Sequence, residues 1–369
     1  MNNSTRCIAP LALLLAAVAG CGKGDSNKAA TDTPAMANTS TMGSGGAMQS
    51  SGTPDAQMQP VLDELAALGG KPIESLTAAE ARKQPTPTDA VKKLMEKQGK
   101  PTTPPPGATS ADRTIAGAAG QIPARIYTPD GTGPFPVVVY YHGGGWVIAN
   151  KDTYDGGARS LAINAKAVVI SIDYRQGPEH KFPAAHDDAL AAYKWALANA
   201  ASIKGDPKKV ALVGESAGGG LAVATAMQAR DLKLQAPLAI VSVYPIAGSD
   251  TTTPSYVEQA SAKPLNRAMM SWFFANYLRN DADRKDPRID LVHANLAGLP
   301  PTTIINAQLD PLRSDGEMLA DKLRAAGVTV QQKTYDGVTH EFFGMAAVHD
   351  KAKDAEMMAA DALKKAFGM

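Results

Sequence analysis

The chain of 369 residues is 44% hydrophobic and 20% charged. That is close to ordinary globular usage and excludes a wholly disordered chain, a collagen-like repeat and a polytopic membrane protein. Its 37 basic and 36 acidic residues leave a net charge of +1, which gives no support to nucleic-acid binding, and two cysteines exclude a disulfide scaffold or a cysteine zinc site.

Arg6 precedes an apolar run from Ile8 to Val18, too short to span a bilayer but suited to the core of a signal peptide. The run ends in Val18-Ala19-Gly20-Cys21, which resembles the lipobox of bacterial lipoproteins. That resemblance implies a signal peptide over residues 1–20, cleavage before Cys21, and lipid on Cys21 as the attachment to a membrane. An ordinary secretory signal cut near Ala19 is the competing reading. Several acyl chains on one cysteine would anchor the chain firmly. Gly22 is not the aspartate that holds enteric lipoproteins at the inner membrane. The expected location is therefore the bacterial cell envelope, anchored at the outer membrane and facing the periplasm.

Residues 21–59 read as the lipidated cysteine and a flexible linker. The stretch TDTPAMANTSTMGSGGAMQSSGTPDAQMQ has too few large aliphatic side chains to offset chain entropy. Met36, Met42 and Met48 fall at even spacing; thioethers can hold copper, but a polar linker accounts for them.

Residues 60–112 read as a helical cap region and connector. Val61, Leu62, Leu65 and Leu68 have helical spacing, stopped by Gly69-Gly70. Thr77 and Glu80 form a capping-box pattern for a segment that Pro85 and Pro87 end. A short helix follows over 89–98, then the extended run PTTPPPG.

From 113 to 369 apolar runs alternate with helical patterns. Strands are predicted over 137–141, 167–172, 209–213, 238–243, 302–305 and 328–335. Helices are predicted over 184–201, 217–230, 314–326 and 351–367. This rhythm implies an α/β fold with a mostly parallel central sheet flanked by helices on both faces.

Two glycine-rich segments sit at strand ends. Gly214-Glu215-Ser216-Ala217-Gly218 matches G-x-S-x-G, between a predicted strand and a predicted helix, the context in which a sharp turn lifts a nucleophilic serine to the sheet's edge. His142-Gly143-Gly144-Gly145-Trp146 follows the strand at 137–141. Consecutive glycines let backbone amides approach a ligand, as an oxyanion hole requires. The donors would be Gly143, Gly144 and Ala217. No GK[ST] follows these glycines, so a phosphate loop does not compete.

In this architecture the acid and then the base follow the serine. Only His293, His340 and His349 follow Ser216. His293 lies in a polar stretch with no strand before it, and His349 adjoins the terminal helix as an expected surface residue. His340 lies just past a predicted strand, where sites of open α/β sheets gather. By the same argument Asp310 is the acid. Asp315 falls inside a predicted helix and Asp336 is too close in sequence to His340. The catalytic set is then Ser216, Asp310 and His340: the histidine takes the serine proton, the aspartate fixes its tautomer, and an acyl-enzyme forms.

These segments, with Asp173-Tyr174-Arg175, Pro178-Glu179-His180 and Phe182-Pro183-Ala184, resemble the hormone-sensitive-lipase-like (family IV) carboxylesterases of the α/β-hydrolase superfamily. The resemblance covers residues 60–369. It implies an α/β-hydrolase fold with an N-terminal helical cap, completed by the insert around 250–285. It further implies hydrolysis of small-molecule esters of short to medium acyl chain, with no metal and no cofactor. Gln176-Gly177 departs from the family's usual Leu-Ala in a structural loop. Two other readings stay open: an amide hydrolase of the arylformamidase type, and a non-catalytic binding protein like the plant gibberellin receptors, which lack the histidine. The sequence also leaves a homodimer open.

Four further positions have two readings each. Trp146 lines the pocket or packs beneath the glycine loop. Glu215 reads as a local hydrogen-bond acceptor. Glu341 tunes His340 or is solvated. The aromatic stretch Trp272-Phe273-Phe274, with Tyr277 and Leu278, belongs to the core or to the pocket.

Overall fold

Residues 52–369 are described by a computed structural model; the expected signal peptide, Cys21 and most of the linker lie outside the described residues. Three helices come first: α1 (Met58–Ala67), α2 (Ala78–Ala81) and α3 (Pro87–Lys97). Thr77 and Glu80 close the predicted capping box on α2. Thr86 and Asp89 build a second one on α3, with Pro87 in its first turn, where the missing N–H costs nothing.

The linker is shorter at its end than expected. Asp55 donates its N–H to the Gly337 carbonyl at 2.8 Å. Its carboxylate accepts from Lys351 Nζ at 2.8 Å and from His349 Nε2 at 3.1 Å. Fixed chain thus begins before residue 59.

The sheet starts earlier than the sequence suggested. A hairpin of β1 (Ala108–Gly117) and β2 (Gly120–Pro129) begins inside the expected connector. Next come β3 (Phe135–Tyr141), α4 (Asp155–Asn164), β4 (Val168–Ile172), α5 (Ala184–Asn199), β5 (Gly205–Glu215), α6 (Ala217–Asp231) and β6 (Ile240–Val243). The chain continues through α7 (Pro254–Glu258), α8 (Arg267–Tyr277), β7 (Thr302–Leu309), α9 (Arg313–Ala325), β8 (Val330–Thr339) and α10 (Asp350–Phe367). The order across the eight-stranded sheet is β1-β2-β4-β3-β5-β6-β7-β8. β2 pairs antiparallel with β1 and β4, and every later pairing is parallel.

The run Val137-Val138-Val139-Tyr140-Tyr141 is buried throughout, as a strand covered on both faces must be. Its side chains alternate between two cores. Val137, Val139 and Tyr141 join one with Ala189 of α5, Leu221 of α6 and Leu319 of α9. Val138 and Tyr140 join the other with Leu161 of α4 and Leu363 of α10. Helices thus hold the central strands rigid, and their carboxyl ends carry the loops that follow.

Candidate active site

Ser216 sits between the end of β5 and the start of α6 with φ 56° and ψ −119°, a conformation costing a non-glycine residue about 1–3 kcal/mol. Close packing of α6 enforces it. A Cβ on Gly218 would lie 1.9 Å from the Tyr141 carbonyl oxygen, so only glycine lets the first turn of α6 press against β3. The Ser216 N–H donates to the Val243 carbonyl at 2.9 Å, tying the turn to β6.

β8 continues past its predicted end to Thr339, so His340 is the first residue after the strand. Asp310 is likewise the first after β7. β7 and β8 are parallel neighbours, which brings both side chains to the carboxyl edge of the sheet beside Ser216. His340 Nε2 lies 3.0 Å from Ser216 Oγ, and Nδ1 lies 2.6 Å from Asp310 Oδ2. Asp310 Oδ1 accepts the Leu312 N–H at 2.8 Å. All three side chains are buried. A carboxylate at Nδ1 keeps a proton there and leaves the Nε2 lone pair facing the hydroxyl. Burial alone would lower the basicity of His340, but the Asp310 carboxylate outweighs it and the ring titrates above its ordinary value.

The rejected candidates lie elsewhere. His293 is exposed and bonded to Asp290. Asp315 lies within α9, where it accepts the N–H groups of Ala247 and Gly248 and burial pushes it up to about 8. His349 is not a surface residue as expected. It is buried, its Nδ1 accepts the Lys351 N–H at the start of α10, and its Nε2 is turned to Asp55.

The glycine loop follows β3, the strand beside β5. A Cβ on Gly143 would stand 3.0 Å from Ser216 Cβ and 2.2 Å from Tyr154 Oη. The loop therefore runs against the serine with no room for a side chain. Among the described residues the amides of Gly143 and Gly144 donate to no protein acceptor, and Ala217 opens α6, where the first amides have no intrahelical partner. His142 supports the loop from behind. Its ring stacks on Tyr174 at 4.3 Å and its Nδ1 lies 2.7 Å from the Gly143 oxygen.

A cavity of about 710 Å³ opens over Ser216 and His340, roofed by Leu62 and Leu65 of α1 and by Met269 and Phe273 of α8. The N-terminal helices and the insert both contribute to this roof. Of the aromatic stretch, Phe273 both lines the cavity and joins the core, whereas Phe274, Tyr277 and Leu278 belong to the core alone. The Trp272 Nε1–H donates to the Leu76 carbonyl at 3.1 Å. Trp146 is buried and stacks on Tyr277 at 4.9 Å, so it packs beneath the loop.

Two features were not read from the sequence. The ring of Tyr244 lies 4.5 Å from that of His340, while its hydroxyl and that of Tyr140 both donate to Glu215, the acceptor role expected of that residue. Tyr154 donates to Glu341 at 2.6 Å. No local motif marks either tyrosine. Among the described residues no group of three His, Cys, Asp or Glu could hold a metal ion.

A family model described as alpha/beta hydrolase fold matches residues 138–344. Carboxylesterase NlhH of Mycobacterium tuberculosis is 39% identical over 251 residues, 67% of this chain and 79% of that protein. Ethyl acetate hydrolase of Pseudomonas putida is 33% identical over 320 residues, 85% of this chain and 98% of that protein. The solved structure of a hyperthermophilic esterase from the archaeon Pyrobaculum calidifontis superposes with a TM-score of 0.77 at 33% identity, covering 85% of this chain and 98% of its own.

Proposed function

The chain belongs to the alpha/beta hydrolase fold family and is a carboxylesterase, and from that premise we propose that Ser216, His340 and Asp310 carry its catalysis through an acyl-enzyme. The observation that carries this reading is the position of His340, with Ser216 Oγ 3.0 Å from one ring nitrogen and Asp310 Oδ2 2.6 Å from the other.

In this mechanism Nε2 takes the Oγ proton as Oγ attacks the ester carbonyl. Asp310 stabilises the imidazolium that results. The amides of Gly143, Gly144 and Ala217 receive the developing oxyanion, each worth ~3 kcal/mol in the transition state. His340 then protonates the departing alkoxide, leaving the acyl group on Ser216. Water attacks that ester in turn and gives its proton to Nε2, which returns it to the departing Ser216 Oγ as the acid is released.

The substrates are carboxylic esters of short to medium acyl chain. The name of the ethyl acetate hydrolase relative supports the short end. Hydrolysis of 4-nitrophenyl esters from acetate to palmitate tests the range. The rate is expected to peak at short chains and to vanish in Ser216→Ala. Failure to cleave any ester would overturn the reading.

The site is carried at the bacterial envelope. Residues 1–20 are the signal peptide, Cys21 bears the lipid, and the linker after it holds the enzyme off the outer membrane on its periplasmic side. Cys21→Ser is expected to move the protein from the membrane fraction to the soluble one. An unchanged membrane fraction would contradict the anchor.

A further inference from the structure

The loop after β8 holds one side chain that the mechanism leaves unused. Glu341 directly follows His340 and has φ +70°, a region that side-chain-bearing residues adopt only under constraint. Its carboxylate is turned towards the site. Oε1 accepts from Tyr154 Oη at 2.6 Å and stands 3.7 Å from His340 Nε2, the nitrogen that faces Ser216. Tyr154 Oη also stands 2.2 Å from where a Cβ on Gly143 would be, against the glycine loop. Glu341 therefore connects the histidine to the glycine loop through one hydroxyl.

The distance decides what this carboxylate can do. At 3.7 Å it makes no hydrogen bond with Nε2, so the lone pair stays available to Ser216. Its influence is electrostatic and grows when Nε2 gains a proton. His340 is buried and the Glu341 side chain is only 20% exposed, towards the cavity, so solvent and salt screen the pair less than they would at the surface.

We propose, on the reading of Ser216, His340 and Asp310 as the catalytic set, that Glu341 is a second positioning carboxylate for His340. It steadies the protonated ring from the Nε2 side as Asp310 does from Nδ1, and Tyr154 holds it at its working distance.

The other titratable groups around the pair come from every neighbouring strand end. They are Asp310 after β7, Tyr244 after β6, Glu215 at the end of β5, Tyr140 in β3, Tyr174 after β4, and Tyr154 just before α4. Burial lowers the basicity of His340; Asp310 first and Glu341 after it raise it. Glu341 is itself pushed up by burial and drawn back by His340 and Tyr154.

The test is kcat/KM against pH for 4-nitrophenyl butyrate, using the full chain and its Glu341→Gln, Glu341→Asp and Tyr154→Phe variants. Glu341→Gln is expected to move the acid limb down by roughly one pH unit. It should also lower the plateau kcat about 10-fold, with KM little changed. Glu341→Asp should restore the limb in part, and Tyr154→Phe should shift it the same way by less. An acid limb unmoved in both Glu341→Gln and Tyr154→Phe would overturn the proposal, and so would an equal loss at every pH, the mark of a merely structural role. If Glu341→Gln does not fold, Tyr154→Phe decides alone: a downward shift supports the proposal and an unmoved limb overturns it. Ser216→Ala separates the two readings. Full activity in that variant removes the catalytic set itself, whereas an inactive variant beside an unmoved limb removes only the role of Glu341.

Discussion

Arg82, at the end of α2, holds Glu179 in the loop between β4 and α5 through two hydrogen bonds of 2.8 and 2.7 Å. Two further N–H groups reach the carbonyls of Val147 at 2.8 Å and Gly177 at 2.6 Å. Half of the Glu179 side chain is exposed, so the ion pair alone is worth little; the carbonyl contacts add specificity. Arg82→Ala is expected to cost about 1–2 kcal/mol in urea unfolding. It should raise KM several-fold while kcat stays nearly constant, because the roof loosens and the serine does not move. Arg82→Lys should recover little, since an ammonium cannot reproduce the planar fork. An unchanged KM in Arg82→Ala would contradict a clasp between the N-terminal helices and the loops beneath the cavity.

Asp310 fixes the histidine tautomer in this account. Asp310→Asn replaces an acceptor at Nδ1 with an amide that can donate. The proton then moves to Nε2 and the base is lost. A fall in kcat of ~10⁴-fold with an almost unchanged Tm is expected. A loss below about 10-fold would show that another group orients the ring.

Gly143 tests the glycine loop. The Cβ added by Gly143→Ala would meet Tyr154 Oη at 2.2 Å and Ser216 Cβ at 3.0 Å, and the tyrosine hydroxyl is committed to Glu341. The loop must retreat from the serine. A fall in kcat on the order of 10²-fold, larger than any change in KM, is expected from a displaced oxyanion donor. Steady-state kinetics that show only a KM effect would count against these amides as the oxyanion site.

Much of the candidate site's geometry was legible because the residues proposed for it lie at strand ends, and most of those strands are apolar runs. Val137 to Tyr141 and Lys209 to Val213 placed the glycine loop and Ser216. His340 emerged from its position after a strand, although that strand runs to Thr339, through the polar residues Asp336 and Gly337. Half of the missed β1–β2 hairpin fails for the converse reason: nearly all of β1 is exposed apart from Ile115, so it has no apolar alternation to read. β2 does alternate, burying Ile122, Ala124 and Ile126, and its signal was overlooked. His349 was misplaced because the partner of its Nε2, Asp55, lies 294 positions away, a contact no local pattern announces. The link between Tyr154 and Glu341 spans 187 positions and was hidden for the same reason.

Glu356 gives the fold a pH signature. It lies in α10, buried, and accepts from Ser160 Oγ and the Gly344 N–H. Burial pushes its carboxyl from 4.5 up to about 7. Between those values the folded chain holds a proton that the unfolded chain has released. Stability therefore falls as pH rises through that window and levels off above it. Glu356→Gln keeps the shape and cannot ionise, so its denaturation midpoint should fall less between pH 5 and 7. The slope should not vanish, because Asp315, raised to about 8, acts in the same direction. An identical slope in the variant would show that Glu356 is ionised throughout.

The central claim is that Ser216 is the nucleophile, and active-site titration tests it most directly. A fluorophosphonate reacts covalently with a serine activated by an adjacent base. One adduct per chain is expected, on the peptide that contains Ser216, with ester hydrolysis lost in proportion to labelling and no adduct on Ser216→Ala. Labelling of another residue, or full esterase activity in a fully labelled protein, would contradict it.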